Sequence, residues 1–598
     1  MANYVIVGAG AAGLYTAYKL LTSGKLQNTD TVKIYEWSER AGGRIFTYRF
    51  QEPAAWEKQG LYVELGGMRF AADPCFPHLP SNNCEGHVLV QSMILQLGLQ
   101  DKVREFPQSS NRLYYFRGSN VYEQNLTPQA MHQLPYGFNK QFFDFISQIP
   151  QKPDPNPITA DNVLGQIGSD FASNLGSSNA FRAKWCHYFA AGKVPASNGT
   201  ASFPAGTAIR DIGYWNLLYD QLGDEGFDYS ADGTGYTSNV INWNAADAMQ
   251  ANNDYSSTTQ YKRLDGGYSQ LFESMADVIE KKGGQIHYGK RLLSLEESPD
   301  RTQTHCTFID TNGASETEIA DFLFLAMPRR SLEMIADECP QTYMLNRPEV
   351  KLWIESSIDQ PAIKAVMVFD EPWWTSPGCA YPPNLVWPSD APKPAPAAEQ
   401  QVGGATITDL PLRMIYYFGN NVPNGPGNQN GPYVLLASYD DMSYTDFWRQ
   451  LELSGDYSAP PSSLRQPLSG PTEVDPQSSF AQLLRKQLAE LHGIDVEKVP
   501  LPRAVYFQDW GQDPFGGGYH GWAAHYNICQ AMDLIRAPYA KILRNSVTKT
   551  FIVGSCYSFD QSWVEGAFCT AQSVLGDFFG MPADRYSSGY HLVCGQSD

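Results

Sequence analysis

Gly8-Ala9-Gly10-Ala11-Ala12-Gly13 follows a short apolar run, Tyr4–Val7, and opens a Pro-free stretch with helical spacing, Ala12–Leu21. Glycines between a strand and a helix permit a tight turn, close approach of a pyrophosphate to backbone and close helix–strand packing. The helix N-terminus adds amides and a dipole that favour an anion. A second β-rich run, Thr31–Tyr35, ends at Glu36, whose carboxylate suits the hydroxyls of an adenosine ribose. Strand, turn, helix and strand in this order predict a parallel βαβ unit that binds a dinucleotide. Glu36-Trp37-Ser38-Glu39-Arg40-Ala41-Gly42-Gly43-Arg44 comes next. A simple nicotinamide-binding unit needs nothing here. Arg40, Gly42, Gly43 and Arg44 would bring two cations and a pliable backbone to the same pyrophosphate.

Around this stretch lies a chain of 598 residues with 43 Lys+Arg against 63 Asp+Glu, a net charge of −20. At roughly 150 residues per domain, about three or four units are expected. A composition 42% hydrophobic and 13% aromatic fills such cores and excludes wholesale disorder. The acidity argues against nucleic acid or an anionic membrane surface as the main partner. The 10 cysteines include no Cys-x-x-Cys pair, and Cys75 and Cys84 are not followed by zinc-type spacing, so unpaired thiols and no metal site are expected. Met1-Ala2-Asn3 leads straight into the first strand without a basic, apolar leader, and no run is long enough to span a membrane. A cytoplasmic enzyme is the expectation.

From about Pro107 to Ser257 polar and aromatic residues dominate, with helix-like pieces such as Asn139–Ile149 and Ala180–Ala191. Beyond it, Asp265-Gly266-Gly267 leads an amphipathic helix that runs to Lys282, followed by β-like runs Gln285–Leu295, Thr304–Ile309 and Ile319–Met327. Pro-rich Pro377–Pro396 and Pro460–Pro471 read as surface loops, because Pro lacks the amide that a central strand needs. Between them lie the β-like runs Arg413–Phe418 and Tyr433–Ser438. A last strand, Thr550–Val553, precedes a helix beginning near Trp563. The fold class is α/β plus α+β. Residues 1–72, 259–330 and 545–598 make a discontinuous Rossmann-like domain, 73–115 and 331–544 a β-rich substrate domain, and 116–258 a helical insertion.

Taken together, these motifs resemble the flavin amine oxidase family, through Glu-x-x-x-Arg-x-Gly-Gly-Arg above all. The likeness runs through most of the chain. Gly266-Gly267, Ala326-Met327-Pro328, Trp510 with Asp513–Tyr519, and Trp563-Val564-Glu565-Gly566-Ala567 resemble its later motifs. The resemblance implies FAD held by Gly8, Gly10, Ala11, Ala12, Gly13, Glu36, Arg40, Gly42, Gly43, Arg44, Gly67, Met68, Arg69, Leu292, Trp510, Ser555 and Val564. Two departures stand out. Ser555 occupies the place of a usual acidic residue, which puts a flavin ribityl or phosphate contact in question. Gly518 occupies the place of the cysteine that attaches flavin covalently in monoamine oxidases, so non-covalent FAD is implied.

Within the family, Leu65-Gly66-Gly67-Met68-Arg69-Phe70 resembles L-amino-acid oxidases, whose matching Arg binds the substrate carboxylate. A guanidinium fork suits a carboxylate, which simple amines lack. The resemblance gives Arg69 and Lys364 catalytic roles, Lys364 in the reaction with oxygen, and makes Tyr416 and Trp563 substrate-pocket residues. Adjacent strand residues point to opposite faces, so only one of Tyr416 and Tyr417 lines a pocket. Lys364, inside the apolar run Ala362–Phe369, must reach a specific acceptor or solvent; an edge-strand lysine is the other reading. Asp220, Asp224, Glu225 and Asp440 are candidates for selecting a basic side chain, against the alternative of solvated acids on an acidic protein. His520, two residues beyond Gly518, is read as a surface or hydrogen-bonded core histidine in preference to a cavity residue. The implied reaction is oxidative deamination of an L-amino acid with molecular oxygen, giving a 2-oxo acid, ammonia and hydrogen peroxide. Alternatives are an amine or polyamine oxidase, a flavin-dependent amino-acid monooxygenase and a non-catalytic flavoprotein. Family members are often dimers or higher oligomers.

Overall fold

The computed structural model describes residues 1–77, 86–107, 112–122, 178–233, 235–236, 241–254, 260–375, 404–419, 431–453, 470–513, 515, 517–544 and 549–581, with a few isolated positions beside them. The expected Asn139–Ile149 helix, the Pro377–Pro396 stretch, nearly all of Pro460–Pro471 and the side chain of Glu225 lie outside the described residues.

Asn3–Val7 is the centre of a five-stranded, all-parallel sheet. Its order is Gln285–His287, Thr31–Tyr35, Asn3–Val7, Phe322–Leu325, Thr550–Ile552. Strands from the beginning, middle and end of the chain therefore share one sheet. Tyr4–Val7 is buried throughout, the pattern of a parallel strand packed on both faces. Helix Ala11–Thr22 packs against Gln270–Lys281 and Val564–Phe579. Tyr15 stacks on Phe568 at 4.6 Å and donates its hydroxyl proton to Gln572 Oε1 at 2.8 Å.

Two expected runs divide. Gln285–Leu295 breaks at Gly289, which adopts φ +66°. Gln285–His287 then stays in the parallel sheet, while Lys290–Glu297 joins an antiparallel sheet with Thr304–Asp310 and Ser315–Ala320. Ile319–Met327 breaks at Asp321, whose Oδ2 accepts the Asn3 amide at 2.7 Å and turns the chain into the parallel sheet.

The second large element is an eight-stranded sheet in which Ala362–Phe369 pairs antiparallel with Ala504–Asp509 and Tyr433–Asp441. Ala362–Phe369 is buried along its whole length. Ile363, Ala365, Met367 and Phe369 enter one core, and Val366 and Val368 enter the other, as the two-residue strand period requires. Lys364 falls on the Val366/Val368 face. It is on an interior strand, which removes the edge-strand reading. Helices Ser178–Ala191, Tyr214–Gly233 and Ala245–Asp254 supply a helical region between the two large sheets in sequence.

A further expectation fails in this fold: Cys186 is disulfide-bonded, not an unpaired thiol. A disulfide needs Cα atoms about 4.4–6.8 Å apart, a tertiary proximity that sequence spacing does not report.

Candidate active site

A continuous cavity of about 310 Å³ runs from the first glycine turn to the eight-stranded sheet. At its dinucleotide end the lining includes Gly8, Gly10, Ala11, Ala12, Glu36, Gly42 and Gly43. Gly8 adopts φ +106°, and a Cβ there would lie 2.6 Å from the Ala326 carbonyl oxygen. A Cβ on Gly13 would meet the Gly8 carbonyl oxygen at 1.9 Å, so Gly13 serves helix–strand packing and does not line the cavity. The Gly42 amide donates to Ala9 O at 2.8 Å, joining the two glycine turns. Gly10 caps helix Ala11–Thr22 without a side-chain hydrogen bond, and Trp563 does the same for Val564–Phe579. Ala11, Ala12 and Val564 are cavity residues, so first-turn amides of both helices are available to a ligand. Glu36 accepts the Ala9 amide at 2.6 Å and the Ser38 amide at 2.8 Å, which leaves acceptor capacity for a ribose hydroxyl.

The two arginines of the motif divide their labour. Arg40 does not line the cavity, contrary to its expected contact with the cofactor. Its guanidinium donates to the carbonyls of Gly43 at 2.7 Å and Ile45 at 3.1 Å and lies 4.0 Å above the Phe46 ring, bracing the glycine pair. Burial lowers its pKa to about 10. Arg44 does face the cavity, and burial pushes its pKa down. It donates to Gly518 O at 3.3 Å, Ser555 Oγ at 3.3 Å and His520 Nδ1 at 3.1 Å. Among the described residues no carboxylate pairs with it. A buried guanidinium of this kind calls for an anion. The pyrophosphate of FAD supplies one, and the open helix termini and glycine cradle fit it.

Toward the eight-stranded sheet the lining becomes Gly67, Met68, Arg69, Lys364, Tyr439, Trp510, Tyr519 and Trp563. Arg69 is half-buried, its guanidinium 4.4 Å from the centre of the Tyr261 ring and 5.2 Å from that of Phe106. Lys364 donates to the carbonyls of Gly66 at 2.6 Å and Glu64 at 3.1 Å and sits 4.9 Å from the Tyr439 ring centre. Burial lowers its pKa to about 7, with the nearby Glu64 opposing and Arg69 reinforcing that shift. Burial also raises the Glu64 carboxyl to about 7. Trp510 Nε1 donates to Leu65 O at 2.7 Å, fixing the Leu65–Arg69 segment from the far side. Trp563 meets His87 edge-on at 4.7 Å and stacks near Tyr261 at 6.0 Å. Behind it the Glu565 carboxylate accepts the amides of Leu89 at 2.9 Å and Val90 at 3.0 Å, tying the two helix starts together.

Of the expected cofactor residues, all but Gly13 and Arg40 line the cavity, Leu292 and Ser555 included. The substrate-side expectations divide further. Tyr416 is buried behind the wall: its hydroxyl lies 3.4 Å from that of Tyr236, which does line the cavity. Tyr417 points the other way, 2.9 Å from Thr406 Oγ1, as strand alternation requires. Asp220 and Asp224 are exposed. Their helix turns Leu217, Leu218 and Leu222 inward, and Asp220 accepts from Thr200 Oγ1 at 2.6 Å. Asp440 is buried outside the cavity lining and accepts the Tyr444 amide at 2.9 Å. None of these three reaches the site.

Sequence reasoning missed Tyr236, Trp243 and Tyr439 as cavity residues, whereas Tyr519 closes the Asp513–Tyr519 stretch already singled out beside Trp510. Tyr439 had a signal: it is in register with Lys364, hence on the same face of the sheet. For Tyr236 and Trp243 there was none.

A parallel-sheet dinucleotide fold with this glycine–arginine cradle defines a flavin-dependent oxidoreductase. The chain belongs to the flavin containing amine oxidoreductase family, whose model matches residues 11–574, and its cofactor is FAD. Aplysianin-A of Aplysia kurodai is 23% identical, with 99% of this chain and 92% of that protein covered. Achacin of Lissachatina fulica is 21% identical over 96% of this chain and 93% of its own length. An L-amino-acid oxidase of Demansia vestigiata is 22% identical, over 90% and 80%. A solved putrescine oxidase variant superposes with a TM-score of 0.51 at 15% identity, covering 97% of this chain and 99% of that one, a likeness of fold.

Proposed function

We propose that this chain is an FAD-dependent L-amino-acid oxidase acting on large apolar and aromatic substrates. The reading rests on Arg69, a half-buried guanidinium lining the same cavity as Lys364 and framed by two aromatic rings. An amine substrate has no group for it to hold, whereas an α-carboxylate fits the guanidinium fork. Similarity to L-amino-acid oxidases along most of the chain supports the same choice.

Bound FAD supplies the two-electron acceptor and its reoxidation by oxygen. The protein's part is placement. Arg69 fixes the carboxylate and so orients the α-carbon. Tyr439, Tyr519, Trp243 and Trp563 wall the space beside it and exclude water. The amino acid loses two electrons and two protons to become an imino acid, which water converts to a 2-oxo acid and ammonia; oxygen takes the electrons and protons and becomes hydrogen peroxide. Lys364, held near neutrality by burial, is placed to carry a proton in the oxygen half of the cycle.

Side-chain preference follows from the lining. Among the described residues its carboxylates are Glu36, bonded at the first glycine turn, and Glu338, which accompanies Ser331, Met334 and Ile335. Neither accompanies Arg69. The rings around Arg69 therefore favour a phenylalanine-, tyrosine- or leucine-like side chain over lysine or arginine. The test is anaerobic addition of a panel of L-amino acids and amines to the purified yellow protein. Bleaching by L-phenylalanine or L-leucine, then peroxide and the matching 2-oxo acid on admitting air, supports the proposal. Bleaching by amines alone overturns it, and bleaching confined to L-lysine or L-arginine overturns the side-chain preference.

A further inference from the structure

His520 is a fully buried histidine that the proposed reaction does not use. It lies on the strand Tyr519–Trp522, which pairs antiparallel with Ser357–Gln360, and the register sets it opposite Asp359. Its Nδ1 is 3.1 Å from Arg44 Nη1. A guanidinium only donates, so Nδ1 is the acceptor and the ring proton of neutral His520 sits on Nε2. Nε2 lies 3.0 Å from Asp359 Oδ1, at ion-pair distance but bent away from an in-line hydrogen bond. Asp359 is partly exposed, its side chain 24% accessible. The other atoms that hold Arg44, Gly518 O and Ser555 Oγ, are neutral. Among the described residues, the carboxylate aligned with this buried cation is thus one imidazole away.

We propose that Asp359, His520 and Arg44 form a positioning relay for the cofactor: Asp359 fixes the ring tautomer, His520 aims the Arg44 guanidinium at the cavity, and Arg44 meets the FAD pyrophosphate there. The arrangement supplies orientation without neutralisation. A carboxylate in direct contact with Arg44 would compete with the phosphates for its charge, whereas a neutral imidazole takes one N–H and no charge; Gly518 O and Ser555 Oγ take two more, and two of the five N–H donors remain for the ligand. His520 is then a residue of FAD retention. The inference stands on the family's cofactor and is independent of which amine or amino acid is oxidised.

The experiment is reconstitution of apoprotein with FAD, the dissociation constant read from quenching of flavin fluorescence, for wild type, H520L, H520N, D359A and R44M, and for H520L combined with R44M. Leucine removes the acceptor, and asparagine keeps an oxygen near the place of Nδ1. The expected result is about a tenfold or greater loss of FAD affinity in H520L, since hydrogen bonds to charged groups are the stronger class. H520N stays within about threefold of wild type, and H520L adds little in the R44M background, because coupled residues are non-additive. Equal losses in H520L and H520N, no loss in H520L, or the same H520L loss with and without Arg44 would each overturn the relay. If H520L does not fold, D359A carries the test. Its side chain is at the sheet edge, and unchanged FAD affinity there overturns the role of Asp359 and with it the relay.

Discussion

Replacing Arg69 by methionine separates recognition of a carboxylate from everything else the cavity does. Methionine fills a similar volume between Tyr261 and Phe106, whose ring centres lie 4.4 and 5.2 Å from the guanidinium, so the aromatic frame keeps its packing. What disappears is a pair of charge-assisted hydrogen bonds, each about 1.5–3 kcal/mol. The two are made together and do not add fully, which gives a loss of about 2–4 kcal/mol in transition-state binding. At about 1.4 kcal/mol per decade, kcat/KM for L-phenylalanine falls roughly 30- to 1,000-fold. Phenethylamine, the same molecule without its carboxylate, is the control. It never engaged the guanidinium, so its rate constant stays within about threefold, well under 1 kcal/mol. Anaerobic stopped-flow measurement of flavin bleaching against substrate concentration reads both numbers free of the oxygen reaction. Parallel loss on both substrates would show that Arg69 shapes the cavity or the cofactor site, and no loss on either would remove it from recognition altogether.

Three further outcomes follow from the same geometry. Lys364→Met removes a buried ammonium whose pKa is lowered to about 7; reoxidation of reduced flavin by oxygen should slow by at least about tenfold while anaerobic reduction persists, and equal slowing of both halves would refute the assignment. Gly13→Ala sets a methyl group 1.9 Å from the Gly8 carbonyl oxygen, so the holoprotein should lose about 1–3 kcal/mol and a lower Tm should register it. Glu565 is held by two amides, and burial raises its carboxyl from the ordinary 4.5 to about 7. A carboxyl raised on folding stabilises most below its unfolded pKa and loses that contribution as pH rises through the folded value. The stability of wild type relative to Glu565→Gln should therefore fall by on the order of 3 kcal/mol between pH 4.5 and pH 8, and parallel Tm–pH curves would contradict it.

Local features of the fold were legible because local chemistry dictates them. Tyr4–Val7, the glycine turn and the following helix carry their own periodicity, and the helix begins within one residue of the expected position. Thr31–Tyr35 is found with the expected ends. Runs that divide between two sheets were misread as single strands, because neither Gly289 nor Asp321 interrupts hydrophobicity strongly enough to announce a change of partner. The cofactor end of the site was equally readable, since a phosphate cradle is built from contiguous glycines and amides. Arg40 shows the limit: the motif places two arginines a few residues apart, yet only the backbone path decides that one braces the turn and the other faces the ligand. The substrate end was legible only at Arg69, Lys364 and Trp563. Its remaining walls come from segments far apart in sequence, and Asp220 and Asp224, chosen for lying in the helical insertion, proved to be on its solvent side.

Charge distribution connects these observations. The chain carries a net charge of −20, yet among the described lining residues the cavity presents Arg44, Arg69, Lys290, Arg291 and Lys364 against Glu36 and Glu338. Lys290 is partly committed elsewhere, 3.2 Å from Glu316, and Arg291 lies over the Trp37 ring at 4.7 Å. Arg44, Arg69 and Lys364 also line the cavity, where low dielectric makes buried charge costly. In the proposed reading a pyrophosphate relieves that cost at Arg44, and an α-carboxylate adds to the contacts that Arg69 already makes. Lys364, whose ammonium donates to the backbone carbonyls of Glu64 and Gly66 and lies 3.9 Å from Met68 Sδ, is relieved differently, by surrendering its proton near neutrality. In the proposed reading, this ordering of cations, from fixed guanidinium to titratable amine, separates holding of cofactor and substrate from proton delivery within a single cavity.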